Sequence, residues 1–203
     1  MFESSQAGLA RLDDLIVIGA DVNPRVVDRL ETAATSDVSL TLVTGVGDSG
    51  AVTMQEDYRT YFAGMGRSIG VALPTPTLPA RYSGHLAKAL KVRPDVTRVV
   101  SGVSLDIATD RVDGEPFDLI VATNVLPYLD DTLVSMALAN ISAMLAPGGA
   151  FLHNESRSVL TEVTRDVDLP LRQARTGVIA TVRGAAPLSD AVLIHEKTGR
   201  SGR

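Results

Sequence analysis

The run Leu15-Ile16-Val17-Ile18-Gly19-Ala20-Asp21-Val22-Asn23-Pro24 decides how this chain folds. Residues 15–20 are apolar without interruption or alternation. Such a run reads as a strand buried on both faces, as in parallel sheets sandwiched between helices. Asp21 closes it. Asn23 is a good helix N-cap and Pro24 suits the first helical position. Val26, Val27, Leu30 and Ala34 then recur at helical spacing, with Arg25, Asp28 and Glu31 between them. Residues 15–35 therefore read as strand, acidic tip and helix, and the chain as an α/β protein.

The same alternation returns later in the chain. Thr97–Ser101 and, more strongly, Phe117–Asn124 read as strands. Asp130 and Asp131 offer a helix N-cap, and Val134, Ala137, Leu138, Ile141, Met144 and Leu145 form an apolar helical face. Pro147-Gly148-Gly149 is expected to stop that helix near residue 146. Ala150–Asn154 is the next strand, 158–167 a helix, and 178–182 with 191–195 a closing hairpin that turns at 184–189. The expectation is a single Rossmann-like, mostly parallel sheet made of 15–21, 97–101, 117–124, 150–154, 178–182 and 191–195, its last strand antiparallel. Residues 36–95 read as an insertion. It holds a strand at Ser39–Thr44 and a helix at Met54–Met65, with Tyr58, Tyr61 and Phe62 on one side as local core. Breaks follow at Pro74, Pro76 and Pro79, then a short helix at Gly84–Val92. One domain over 1–196 is expected, with 197–203 a disordered basic tail.

Composition narrows the function classes. The 203 residues carry 19 basic and 24 acidic side chains, a net charge of −5, without the broad basic footprint of a nucleic-acid binder. With no cysteine there are no disulfides, thiolate metal sites or cysteine nucleophiles. Three scattered histidines, His85, His153 and His195, do not suggest a zinc site. No apolar run approaches the roughly 18–20 residues that span a bilayer, and Met1–Ser5 lacks the features of a secretory signal. The expected compartment is the cytoplasm.

Three features carry chemistry together. Gly19-Ala20-Asp21-Val22-Asn23-Pro24 puts a carboxylate at the end of a buried strand, where open parallel sheets bind ligands and where it could accept hydrogen bonds from both ribose hydroxyls. Read alone, it is equally a capping turn. Phe117-Asp118-Leu119-Ile120-Val121-Ala122-Thr123-Asn124 ends in a polar pair, and Leu145-Ala146-Pro147-Gly148-Gly149 precedes another strand. In combination they resemble the class I, Rossmann-like S-adenosylmethionine-dependent methyltransferases, over residues 8–35 and about 95–195. The run Asn124–Asp130 resembles, more weakly, the chemoreceptor glutamate methyltransferases. The resemblance implies S-adenosylmethionine as cofactor and methyl transfer to a small molecule or protein side chain. It also implies that Asp21 contacts the ribose, that Asp106 lies near the adenine amino group, and that Asn124 and Val125 lie near the methionine part and the transferred methyl. It requires 15–21 and 117–124 to share one sheet.

The sequence departs from the family twice. The glycine-rich first motif would fall at Met1–Gln6, where there is no such loop; Ala7–Asp14 looks like the helix that follows it. An N-terminal truncation, a late start or an altered cofactor site would each account for this, and weak or undetectable cofactor binding is expected. Asp21 and Asn124 are 103 residues apart, about twice the family's spacing, with 36–95 as the surplus. Two alternatives stand beside this reading. Gly45-Val46-Gly47-Asp48-Ser49-Gly50 is a literal G-x-G-x-x-G after a strand-like run, the context of a nicotinamide-dinucleotide oxidoreductase. It lacks the strand ending in Asp or Glu about 20 residues on, which favours a peripheral glycine turn. The second is a non-catalytic fragment. Of the smaller candidates, His85 reads as a solvent-facing loop histidine. His153 and Glu155 share one face at the end of a strand, on the edge suited to a substrate site, with Asn154 on the other.

Overall fold

The computed structural model of the chain describes residues 15–33, 35–48, 52–166, 169–180, 182–184 and 189–199. In chain order the first elements are β1 (Val17–Asp21), α1 (Pro24–Ala33), β2 (Ser39–Gly47), β3 (Val52–Met54), α2 (Glu56–Gly64), β4 (Gly70–Leu73), β5 (His85–Val92), α3 (Pro94–Thr97) and β6 (Val100–Ser104). There follow β7 (Phe117–Ala122), α4 (Asp131–Met144), β8 (Leu145–His153), α5 (Val159–Asp166), β9 (Leu171–Ala180), β10 (Val182–Gly184) and β11 (Ser189–Lys197). Two compact units divide between Ser104 and Leu105.

In the first unit β1 and β6 form a parallel pair, from Val17 opposite Val100 to Asp21 opposite Ser104. Helix α1 starts as the sequence predicts: Asn23 Oδ1 accepts the Arg25 N–H at 3.1 Å, and Val27 is buried. The helix packs this closely because both strands carry glycine beneath it. A Cβ on Gly19 would stand 2.5 Å from Leu30 Cδ1, and one on Gly102 would stand 2.6 Å from the Val27 carbonyl oxygen. The insertion is a separate antiparallel sheet in the order β2-β5-β4. Its central strand covers the segment expected to be a short helix. His85–Val92 is extended because β2 and β4 pair with it from both sides, burying Ala89, Leu90 and Val92; partners distant in sequence override a weak local preference. Helix α2 buries Phe62 and leaves Tyr61 exposed, so of the aromatic trio Phe62 alone is fully core. Lys88 Nζ donates to the Phe62 and Met65 carbonyls at the end of α2.

In the second unit the sheet order is β7-β8-β11-β9. Strands β7 and β8 are parallel, and β11 lies antiparallel between β8 and β9, which is the expected closing hairpin. Asp130 caps α4 by accepting the Leu133 N–H at 2.9 Å. Val134, Ala137, Leu138 and Ile141 of α4 pack with Leu126, Phe151 and Leu160 in the core. The helix ends at Met144, with Leu145 already extended, so Pro147-Gly148-Gly149 lies within β8 instead of stopping the helix; Gly148 takes φ +81° there.

Two expectations are corrected. Among the described residues the strands do not pair into one sheet: β1 pairs with β6, and β7 belongs to the four-stranded sheet. An apolar run identifies a strand locally, but which edge it pairs along is set by chain distant in sequence, and no pattern within 15–21 or 117–124 records it. β1 and β7 belong to different compact units, and each pairs within its own unit. Lys197 and Thr198, expected in the tail, are hydrogen-bonded to the rest of the second unit. Lys197 closes β11, its Nζ donates to the Leu145 carbonyl at 2.6 Å, and the Thr198 N–H donates to the Pro170 carbonyl at 2.8 Å. Residues 200–203, like Ala7–Asp14 and Gly50, lie outside the described residues.

Candidate functional site

The expected site residues all stand at or just beyond the carboxyl ends of parallel strands. Asp21 is the last residue of β1. Its Oδ1 accepts the Asn23 N–H at 2.8 Å, and no other hydrogen bond of its carboxylate is seen among the described residues. The capping of α1 itself belongs to Asn23. One carboxylate oxygen of Asp21 thus shapes the turn that leads into α1.

Asp106 follows β6 by two residues, since β6 runs to Ser104 and not to Ser101 as the sequence suggests. Its Oδ1 accepts the Ala108 N–H at 3.0 Å, and its carbonyl accepts the Thr109 and Asp110 N–H groups. It too is a turn-forming, exposed carboxylate at a strand end.

Asn124 and Val125 lie just beyond β7. Asn124 is the one non-glycine residue with positive φ, +56°, among the described residues. Asparagine tolerates this left-handed conformation better than most residues. Val125 is 40% exposed and leads into a 3-10 turn at Leu126–Tyr128.

Side chains beyond the end of β8 hold this loop. The Asn124 N–H donates to Asn154 Oδ1 at 2.8 Å, and Asn154 Nδ2 donates to Asn124 Oδ1 at 2.8 Å. Arg157 Nη2 donates to the carbonyls of Leu126 at 2.9 Å and Leu129 at 3.1 Å. The same guanidinium pairs with Glu155, which is almost fully buried, at 2.8 Å and with Asp131 at 3.3 Å. Burial pushes the Glu155 carboxyl up, but the hydrogen bonds and charge of Arg157 outweigh it and leave the pKa below its ordinary value. Neither Asn154 nor Arg157 was singled out as a partner of this loop. The usable signal was positional: Ala122 pairs with His153 in the parallel register, so the residues just past each strand end are neighbours.

His153 and Glu155 do share a face, but it is the core face and not the mouth of a site. His153 is fully buried and His195 nearly so. The Glu155 N–H donates to His153 Nδ1 at 3.1 Å, so Nδ1 carries no proton. Nε2 of His153 must then donate to His195 Nδ1, 3.1 Å away. Burial, reinforced by His195, pushes the His153 pKa from 6.5 down to about 4; burial lowers that of His195 as well. The pair is neutral and structural. His85 is likewise not a loop histidine: it opens β5, and its Nδ1 lies 2.6 Å from the Thr44 carbonyl oxygen.

The glycine run does not have the geometry of a dinucleotide site. Gly45 and Gly47 lie inside β2, an edge strand of the antiparallel sheet. β3 intervenes before α2 begins at Glu56, so no helix N-terminus follows the glycines directly. Asp48 instead accepts the Met54 N–H at 2.7 Å and pairs with Arg59. Among the described residues no helix is long and apolar enough to cross a membrane.

No protein-family model matches the sequence, and no curated protein sequence matches it. Solved structures do. NodS, an N-methyltransferase from Bradyrhizobium japonicum WM9 in complex with S-adenosyl-L-homocysteine, matches with 22% identity and a TM-score of 0.40, over 52% of this chain and 63% of its own. The glycopeptide N-methyltransferase MtfA matches with 18% identity and a TM-score of 0.41, over 52% of this chain and 64% of its own. An S-adenosylmethionine-dependent methyltransferase from Methanosarcina mazei matches with 12% identity and a TM-score of 0.49, over 92% and 84% of the two chains. The chain spans less than two thirds of the length of NodS and MtfA.

Proposed function

We propose that this chain binds S-adenosylmethionine and serves methyl transfer to a small molecule or protein side chain. The observation that carries the reading is Asp21. It is a carboxylate at the carboxyl end of a parallel strand, with one oxygen committed to the turn before α1 and the other open to a hydroxyl donor. That chemistry fits a ribose. Asp106, two residues beyond the end of β6, would offer an acceptor to the adenine amino group. Asn124 and the half-exposed Val125 would meet the methionine part. When bound, the cofactor supplies an already activated methyl on its sulfonium, so the protein's task is positioning more than acid–base chemistry.

The test is a heteronuclear NMR titration of the intact chain with S-adenosylhomocysteine up to millimolar concentration, which detects even weak binding. Shifts at Asp21 and its neighbours are expected, and Asp21→Ala should weaken binding about tenfold or more, since a hydrogen bond to a charged group contributes about 1.5–3 kcal/mol. Equal affinity in the variant would reduce Asp21 to a turn residue. Binding of a reduced nicotinamide dinucleotide at 44–48, with no response at Asp21, would replace the proposal with an oxidoreductase.

A further inference from the structure

We infer that Asn154 is a positioning residue: it holds the chain after β7 in the left-handed turn that presents Asn124 and Val125 to a ligand. The inference rests on the methyltransferase reading for the identity of that ligand, but the geometry stands by itself. Asn124 sits at φ +56°, a conformation that costs a non-glycine residue about 1 kcal/mol or more unless its surroundings enforce it. Asn154 enforces it by a double hydrogen bond, accepting from the Asn124 backbone N–H and donating to its side-chain oxygen, both at 2.8 Å. The far side of the loop is pinned independently, by Arg157 on the Leu126 and Leu129 carbonyls and by burial of Leu126. Val125 is the single residue between the two anchors, so its place follows from both.

The pair of hydrogen bonds also decides what Asn124 has left to offer. With its N–H and Oδ1 taken by Asn154, its remaining polar groups are the side-chain Nδ2–H and the backbone carbonyl. A donor and an acceptor on the same residue suit the carboxylate and ammonium of an amino-acid tail. Asn154 would thus set both the shape of the turn and the polarity that it shows.

The experiment compares the intact chain with Asn154→Leu, which keeps the size and removes both bonds, and with Asn154→Asp. The aspartate can still accept the Asn124 N–H, and a flipped Asn124 amide can donate to its second oxygen. Each protein is first shown to be folded by circular dichroism. Affinity for S-adenosylhomocysteine and amide hydrogen exchange at Asn124 in the free protein are then measured. The expected result is about tenfold weaker binding and about tenfold faster exchange in Asn154→Leu, with Asn154→Asp within about threefold of the parent in both. Leucine binding as the parent does, or leucine and aspartate losing affinity equally, would overturn the positioning role. If the parent itself binds no S-adenosylhomocysteine, the methyltransferase reading fails and exchange decides the inference: protection lost with leucine and kept with aspartate supports it, and protection unchanged with leucine overturns it.

Discussion

The ends of β1 and β7 solve the same problem with different means. Each must turn a parallel strand toward a helix. At β1 the turn is made by near neighbours: Asp21 accepts from Asn23, and Asn23 accepts from Arg25, each two residues along the chain. At β7 the turn is made by residues about thirty positions away, Asn154 on Asn124 and Arg157 on Leu126 and Leu129. Local turns cost little chain entropy and are individually worth little. A turn held from a distance draws on the stability of the whole second unit, including its buried Glu155. The β1 end should therefore tolerate change, and the β7 end should not.

The sharpest break of that contrast is Arg157→Met. It strips a nearly buried carboxylate of its partner and frees two carbonyls, and a buried charge left unpaired is strongly destabilising. Arg157 is itself 37% exposed on its side chain, which moderates the loss, but the largest drop of the set is expected in urea unfolding, with faster exchange at 126–129. A loss under about 1 kcal/mol would mean that the loop holds itself, as the β1 turn does.

Acid probes the same neighbourhood. The His153 pKa is about 4 in the fold against 6.5 for the ordinary group. Above pH 6.5 the histidine is neutral in both states and contributes no pH dependence. As pH falls from 6.5 toward 4 the unfolded chain takes up a proton that the folded chain refuses, so stability declines by up to about 3 kcal/mol and levels off below 4. Urea midpoints at pH 7, 6, 5 and 4.5 follow this descent. His153→Asn, whose Oδ1 can replace Nδ1 as acceptor for the Glu155 N–H, should flatten it; an equally steep decline in that variant would assign the acid sensitivity elsewhere.

At the β1 end the most sensitive position is a glycine. Gly102→Ala brings a methyl to 2.6 Å from the Val27 carbonyl, which belongs to helix backbone and cannot rotate away. Forcing α1 off the pair should cost about 1–3 kcal/mol, seen as a lower thermal midpoint. The smallest effect on stability is expected at Asp21. Its one turn hydrogen bond is exposed, so Asp21→Ala should move stability by under about 1 kcal/mol, even as it weakens S-adenosylhomocysteine binding. A large loss of stability there would erase the distinction between the two ends.

That distinction also separates what could be read along the chain from what could not. Strand β1, the Asn23–Pro24 entry to α1, strand β7, the Asp130 cap and the apolar face of α4 all follow from residues within a few positions of one another, and all are found near where the pattern puts them. The family resemblance points to Asp21, Asp106, Asn124 and Val125, and each stands at or just beyond a strand end. What local pattern could not supply was pairing. His85–Val92 looks helical until β2 and β4 are seen on either side of it. Val17–Asp21 and Phe117–Ala122 look like members of one sheet until their partners, β6 and β8, are known.

Apolar period, caps and turn residues act over one or two helical turns, so composition and order along the chain were enough to determine an α/β protein with carboxylates and amides at its strand ends. Register, sheet membership and burial are set by groups brought together from far apart in the sequence. Only the tertiary structure could decide that His153 and Glu155 belong to the core, that the 45–47 glycines lie in an antiparallel edge strand, and that the left-handed Asn124 is held in place by Asn154.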